Sequence, residues 1–418
     1  MESKNEKILE KKYTLSFILL ASCFAWWGIA NNLTDPLVKV FKAVFGELST
    51  FQASLIQFAF YFGYFTMAIP GALISRKYSY KTGVLVGLGI YAIGCLLLYP
   101  STQLQKFVFF CLSYYILACG LGILETNANP YILTLGSKET ATRRLNFAQS
   151  FNPIGSVIGI FLCQILIMAK MPLDEQGNIF IETGQINEIL NIVIFPYLSV
   201  AVILVVVWIL IALKKMPHSF DESVKTNFFQ AFKRLLKNRN YVFAVIAQFF
   251  YVGAQISVWT FTNFYIPKEI NVTQEQTLQY HAGALLLFGV FRWIFTLLMK
   301  KYKDYNLLAI ASFVAIFFSL IVVFLGGVFG VASLIGISAC MSLMFPTIFG
   351  MGSEGLNAEE TKVGSSGLIM AILGGALITP LQGAVIDFSS VNISYAVPLI
   401  SFIVIATYAL FNKRLKLQ

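Results

Sequence analysis

The chain has 418 residues, 57% of them hydrophobic and 12% charged, with a mean hydropathy of +0.75. Soluble domains carry about 25% charged residues, so the composition excludes an ordinary soluble enzyme or binding module. It also makes domain counting by length meaningless. The net charge of +10 does not point to nucleic acid, because Lys and Arg gather in loops of one side, as the positive-inside rule describes.

A spanning helix needs about 20 apolar residues, and the apolar runs divide into about twelve such segments. No period-two alternation of a membrane β-barrel is present. Residues 1–12 form a polar tail with four lysines, expected in the cytoplasm. It is too charged for a signal peptide, and no small-residue cleavage site follows the first apolar run. Helix 1 runs from about Tyr13 to beyond Asp35, its outer half reading WWGIANNLTDP. Asn31, Asn32 and Asp35 lie near one face, and Pro36 predicts a kink or break. Helix 2 (about Phe51–Ser75) carries Gln57, Tyr61 and Tyr64. A basic loop leads to helix 3 (about Gly83–Pro100), whose Gly83, Gly87, Gly89 and Gly94 predict close packing. Helix 4 (about Phe107–Leu135) holds Glu125 and Pro130. A loop with Lys138, Arg143 and Arg144 precedes helix 5 (about Leu145–Ala169), which carries Gln149 and Asn152.

An acidic loop, 170–191, is expected outside, and helix 6 spans about Ile192–Leu213. The polar connection 214–240 reads as a cytoplasmic linker, in which Phe228–Leu236 has the character of a short interfacial helix. Helix 7 (about Tyr241–Ile266) bears Gln248, Tyr251, Gln255, Trp259 and Asn263 at steps of three or four, a stripe that suits a cavity better than lipid. Helix 8 (about Tyr280–Lys300) contains Arg292, which in a membrane needs a carboxylate, carbonyl or water partner. Helix 9 (about Asn306–Val328) is featureless. Helix 10 (about Val331–Met351) ends in SLMFPTIFGMGSEG, helix 11 (about Gly364–Ile386) is rich in small residues, and helix 12 spans about Ile393–Phe411. The basic tail KRLKLQ puts both termini on the cytoplasmic side.

Two carboxylates therefore lie within spans. Each costs roughly 2.5–3.5 kcal/mol on insertion scales, a cost carried mostly where the group faces a cavity or a partner. Glu125 and Asn129 share one helix face, and Gln149 and Asn152 share another. Neighbouring helices thus present polar groups suited to a proton-accepting acid beside a polyol-binding pocket. PYILTLGSKE from Pro130 aligns with PTIFGMGSEG from Pro346, about half a chain apart. That is the parallel repeat of a six-plus-six transporter, whose site is expected near the midplane between the halves.

Other chemistry is missing. Gly350, Gly352 and Gly355 fit GxGxxG but follow an apolar helix rather than a strand, so they do not read as a dinucleotide site. There is no Walker A sequence. His218 and His281 have no metal-ligand or triad company. The six cysteines all fall in apolar runs and read as small buried residues. Asn271-Val-Thr273 fits a glycosylation sequon that matters only in a secretory-pathway host. No cofactor, metal or nucleic-acid partner is expected.

The stretches WGIANNLTDP, FQASLIQFAFYFGYF, GLGILETNANPYILTLG and RRLNFAQSFNPIGS, then FYVGAQISVW, FPTIFGMG and GSSGLIMAILGGALITPLQG, resemble the fucose–proton symporter family of the major facilitator superfamily. The resemblance covers nearly the whole chain. It implies an all-α integral membrane protein of twelve transmembrane helices in two six-helix halves, 1–213 and 241–418, joined by linker 214–240. It further implies import of a neutral monosaccharide, L-fucose or a related hexose, with a proton by alternating access, in the bacterial inner membrane. By position, the essential carboxylates map to Asp35 and Glu125, and the sugar-contacting amides to Asn32, Gln149 and Asn152. Gln255, Trp259 and Phe345 are expected in the pocket, with Trp259 against the sugar's apolar face. Arg292, Arg144, Pro130 and Pro346 are expected in gating or structural roles. Phe345 stands where fucose transporters tend to carry Tyr, and the general loop motif GxxxDRxGRR survives only as Gly71, Arg76, Lys77 and Lys81. A monomer is expected. The rival readings are a proton-coupled drug exporter of the same superfamily, against which the amides argue, and a sugar uniporter or sensor; an enzyme has no support.

Overall fold

The computed structural model describes residues 8–34, 37–46, 50–172, 181, 183–216 and 228–417. Twelve helices among them are long and apolar enough to cross a membrane, and no strand occurs among the described residues. In chain order the helices are α1 (Thr14–Thr34), α2 (Leu37–Val44), α3 (Thr50–Lys77), α4 (Tyr80–Leu104), α5 (Phe107–Leu133) and α6 (Ala141–Gln149). Next come α7 (Phe151–Leu166), α8 (Ile186–Leu213), α9 (Phe228–Lys237), α10 (Arg239–Ile270), α11 (Gln274–Leu298) and α12 (Asp304–Phe324). The last six are α13 (Gly327–Met341), α14 (Met344–Ser353), α15 (Ala358–Met370), α16 (Leu373–Phe388), α17 (Val391–Ser394) and α18 (Ala396–Leu417).

Local chemistry sets several boundaries. Ser79, Asn238, Thr273 and Asn357 cap α4, α10, α11 and α15 by accepting from backbone N–H groups, and the last two form full capping boxes with Gln276 and Glu360. Four expected single helices are interrupted. Helix 5 divides into α6 and α7 at Ser150, and helix 10 into α13 and α14 at Ser342–Leu343. Helix 11 divides at Ala371–Ile372, and helix 12 begins as the short α17. Pro346 stands in the first turn of α14, where its missing N–H costs nothing. Its repeat counterpart Pro130 lies inside an unbroken α5.

The described residues within Tyr13–Ala128 and Phe151–His218 form one compact unit. Its closest crossing is α1 on α7. A Cβ on Gly28 would run into the Asn152 carbonyl, and one on Gly155 into the Ala25 carbonyl. Gly159 lies against Ile29 and the Asn32 side chain. Small residues permit this backbone approach, which takes the place of a hydrophobic driving force in lipid. α4 approaches α5 in the same way through Gly87, Gly94 and Gly120. Gly83 rests on Asn127, whose amide donates to the Gly71 carbonyl at 3.2 Å. Of the four glycines expected to pack closely in helix 3, Gly89 alone meets nothing nearer than the Trp208 indole nitrogen at 3.8 Å.

The described residues within Met1–Lys12, Asn129–Ser150 and Ser219–Gln418 form the other unit. α10 is its spine, packed on α13, α14, α16 and α18. The segment 129–150 docks on α14 and α11: Asn146 Nδ2 donates to Thr347 Oγ1 at 3.2 Å, and Phe147 stands edge-on to Trp293 at 5.3 Å. Thr142 fills the space above Gly350. The helix expected over Phe228–Leu236 is α9, which buries Ala231 and Leu235 and packs on α15.

Candidate functional site

In the unit containing α1, Glu125 is 5% exposed, and its Oε2 is buried with no hydrogen-bond partner among the described residues. It lies within electrostatic reach of Tyr64 on α3, whose hydroxyl accepts the indole N–H of Trp27 on α1. An ionised carboxylate without a partner is among the costliest groups to bury, so Glu125 is held where protonation has a large effect. Asn32 and Asn152 flank the α1–α7 crossing. Asn32 Nδ2 donates to its own helix at the Gly28 carbonyl, 3.0 Å away, while Asn152 Nδ2 reaches across to the Phe24 carbonyl at 3.4 Å. The glycines of that crossing therefore set how both amides are presented. Asp35 and Pro36 lie outside the described residues.

In the other unit, Gln149 is the last residue of α6 and 4% exposed. Its Nε2 donates to Asn129 Oδ1 at 2.8 Å. Its backbone carbonyl, freed by the break at Ser150, accepts from Arg292 Nη1 at 3.1 Å. Arg292 Nε donates to the Ser342 carbonyl, at the break between α13 and α14, and the guanidinium lies over the Phe288 ring at 4.8 Å. Carbonyls at helix breaks lack intrahelical donors. A planar guanidinium with separated N–H groups serves two of them at once. Of the partner types open to Arg292, the described residues supply backbone carbonyls.

The polar stripe of α10 is graded. Gln248 and Tyr251 are fully buried, whereas Gln255, Trp259 and Asn263 are half-buried. Trp259 donates to Ser338 Oγ at 3.2 Å and stands edge-on to Phe288 at 5.1 Å. Tyr251 donates to the Met341 carbonyl at 3.1 Å, and its ring faces the half-buried Phe345. Neither amide atom of Gln248 has a partner among the described residues.

Arg144, also completely buried, serves the end of α5. Nε donates to the Ile132 carbonyl at 2.8 Å and Nη2 to that of Leu133 at 2.6 Å. Nη1 reaches Thr140 Oγ1 and the Ile8 carbonyl. A cation over the last carbonyls of a helix suits both hydrogen bonding and the helix dipole. A groove of about 530 Å³ at the ends of α7 and α8, lined by Leu166, Lys170, Glu188, Asn191, Ile192 and Phe195, takes in none of the predicted residues. Residue pattern alone did not bring out Asn129 as the partner of Gln149, although its place one turn beyond Glu125 was visible. Ser342 gave no signal, since it contributes a carbonyl rather than a side chain.

Comparison with known proteins agrees with this architecture. Residues 15–380 match the family model described as Major Facilitator Superfamily. The chain is 45% identical to the L-fucose-proton symporter of Haemophilus influenzae, over 97% of this chain and 98% of that one. It is 32% identical to the glucose/galactose transporter of Brucella abortus, over 97% and 96%. The crystal structure of the transporter FucP in the outward conformation superposes with a TM-score of 0.87 at 35% identity, covering 96% of this chain and 99% of that one. The chain belongs to the major facilitator superfamily and, within it, to the family of the L-fucose–proton symporters.

Proposed function

We propose that this protein imports a neutral monosaccharide, L-fucose, together with a proton by alternating access. The observation that carries the reading is Glu125, a carboxyl group deep in a span, with an oxygen that no described residue satisfies. Proton binding discharges it, and the sugar then enters with the proton. Asp35 shares the coupling role, and Glu125 also contacts sugar. Asn32, Gln149, Asn152 and Gln255 bond the hydroxyls, while Trp259 and Phe345 line the apolar side. The halves 1–213 and 241–418 form the two rocking bodies, 214–240 links them in the cytoplasm, and both termini lie inside. The protein works as a monomer in a bacterial inner membrane, without a cofactor. The relatives named above, symporters and transporters of sugars, support this reading. One proton crossing 100 mV yields about 2.3 kcal/mol, enough for sugar accumulation of several tens-fold before any pH gradient is added.

The test is external pH in weakly buffered cells expressing the protein. Addition of L-fucose should alkalinise the medium, and Glu125→Gln and Asp35→Asn should abolish that signal. Saturable uptake without alkalinisation refutes proton coupling. Alkalinisation with galactose or glucose but not L-fucose refutes the substrate. Uphill uptake by Asp35→Asn refutes the role given to that carboxylate.

A further inference from the structure

We infer that Tyr64 is a positioning residue for the coupled proton: its hydroxyl proton is held for the ionised carboxylate of Glu125, so Tyr64 sets the pH at which that carboxyl group loads. The inference rests on the proposal that Glu125 takes up the coupled proton. Chemistry fixes the direction of the bond between Trp27 and Tyr64. An indole N–H can only donate, so the phenol oxygen is the acceptor. The proton of Tyr64 is thereby left for another group. Tyr64 is buried, and Trp27 is its one hydrogen-bond partner among the described residues. A buried donor of this kind calls for an acceptor. Glu125 is the acceptor at hand. Tyr64 is seated on Gly122, where an added Cβ would stand 3.0 Å from the Tyr64 Cα. Gly122 and Glu125 lie one turn apart on one face of α5. A helical side chain leans back over the turn before it, which carries the Glu125 carboxyl toward Tyr64. Its Oε2 is buried and lacks a donor among the described residues. The other titratable groups around Tyr64 are Tyr91 on α4 and Tyr61 on α3 itself. Both are phenols, uncharged near neutral pH, and Tyr91 gives its own proton to the Trp26 carbonyl at 3.1 Å. A hydrogen bond made to the ionised form of a carboxyl group favours that form. Tyr64 therefore lets a buried carboxyl group give its proton up, which a symport cycle requires once the sugar has left.

Equilibrium binding of labelled L-fucose to the purified full-length protein, measured as a function of pH, tests this. Affinity should fall as pH rises through the point at which Glu125 loses its proton, and Glu125→Gln should lose that fall. Tyr64→Phe deletes only the hydroxyl and should move the midpoint of the fall upward by about one pH unit, the loss of one hydrogen bond to a charged acceptor. A merely structural role would lower affinity at every pH and leave the midpoint in place. Tyr91→Phe should not move the midpoint, because that proton already serves a carbonyl. Added to Glu125→Gln, Tyr64→Phe should change nothing further, since it acts only through the carboxylate. Two results overturn the inference while leaving Glu125 the coupling group: a midpoint unmoved or lowered in Tyr64→Phe, or an equal rise in Tyr91→Phe. A fall that persists in Glu125→Gln removes the role proposed for Glu125, and the inference with it. Should Tyr64→Phe not fold, a fluorinated tyrosine placed at position 64, a stronger donor of nearly the same size, decides instead: it should move the midpoint down, and an unmoved midpoint overturns the inference.

Discussion

Replacing Arg292 with Lys is the sharpest probe of how the broken helices are held. The guanidinium uses two different nitrogens, Nε for the Ser342 carbonyl and Nη1 for the Gln149 carbonyl at 3.1 Å. An ammonium is a point donor on a flexible stem and cannot reproduce that fork, so one carbonyl keeps a partner and the other loses it. A buried acceptor stripped of its bond costs about 1–3 kcal/mol, and lipid supplies no water to replace it. Arg292→Lys should therefore lower the unfolding free energy by about 1–3 kcal/mol, and Arg292→Met, which strips both carbonyls, by roughly twice that. Reversible unfolding of the detergent-solubilised protein in a denaturant series measures the difference. A Lys variant within about 0.5 kcal/mol of the parent, with Met no worse than Lys, would refute the two-carbonyl bridge. Arg292 would then be a cation stacked on Phe288 with incidental backbone contacts.

The glycine contacts divide into intolerant and tolerant positions. Gly155→Leu drives a side chain into the Ala25 carbonyl and should prevent α1 and α7 from closing, read as loss of monodisperse protein. Gly89→Ala, with only Trp208 at 3.8 Å, should be neutral or raise stability by up to about 1 kcal/mol; equal behaviour of the two variants would contradict the packing described here. Gln248→Met should raise the thermal midpoint, because it removes a fully buried amide with no partner among the described residues, a group whose burial costs about 1–3 kcal/mol. A lowered midpoint would show that the amide is bonded in the working protein.

Much of the architecture was legible in the sequence because lipid imposes a coarse rule. A span must be long, apolar and helical, and all twelve expected spans overlap helices that are long and apolar enough to cross. The breaks at Ser150, Ser342 and Ala371–Ile372 were not legible. Both sides of each remain apolar and helix-compatible, and the interruption depends on what the neighbouring helix offers the freed carbonyls. The same reason hid the partner of Arg292. The sequence left a carboxylate, a carbonyl or water open as partner, because the acceptors that serve it are main-chain atoms that any residue supplies. Gln149 was legible as an amide on a polar face, yet its bond to Asn129, twenty residues away in the chain, was not. The glycines of helix 3 were legible as a close-packing set, whereas Gly155 and Gly159, which bring α7 against α1, were not singled out.

The two buried arginines obey one logic, and it explains why the two copies of the repeat differ. In the first copy, Pro130 sits inside an intact α5, whose last carbonyls at Ile132 and Leu133 are taken by Arg144. In the second, the helix breaks before Pro346, and the carbonyl released at Ser342 is taken by Arg292. Arg292 also takes the carbonyl released where α6 ends at Gln149. Each guanidinium is itself buried and replaces the intrahelical donors that a terminus or a break removes. Both arginines hold residues within 129–150, so this segment is anchored through its main chain. That leaves the side chains of Asn129 and Gln149 to bond each other, so the main chain and the side chains of this segment are held by different partners.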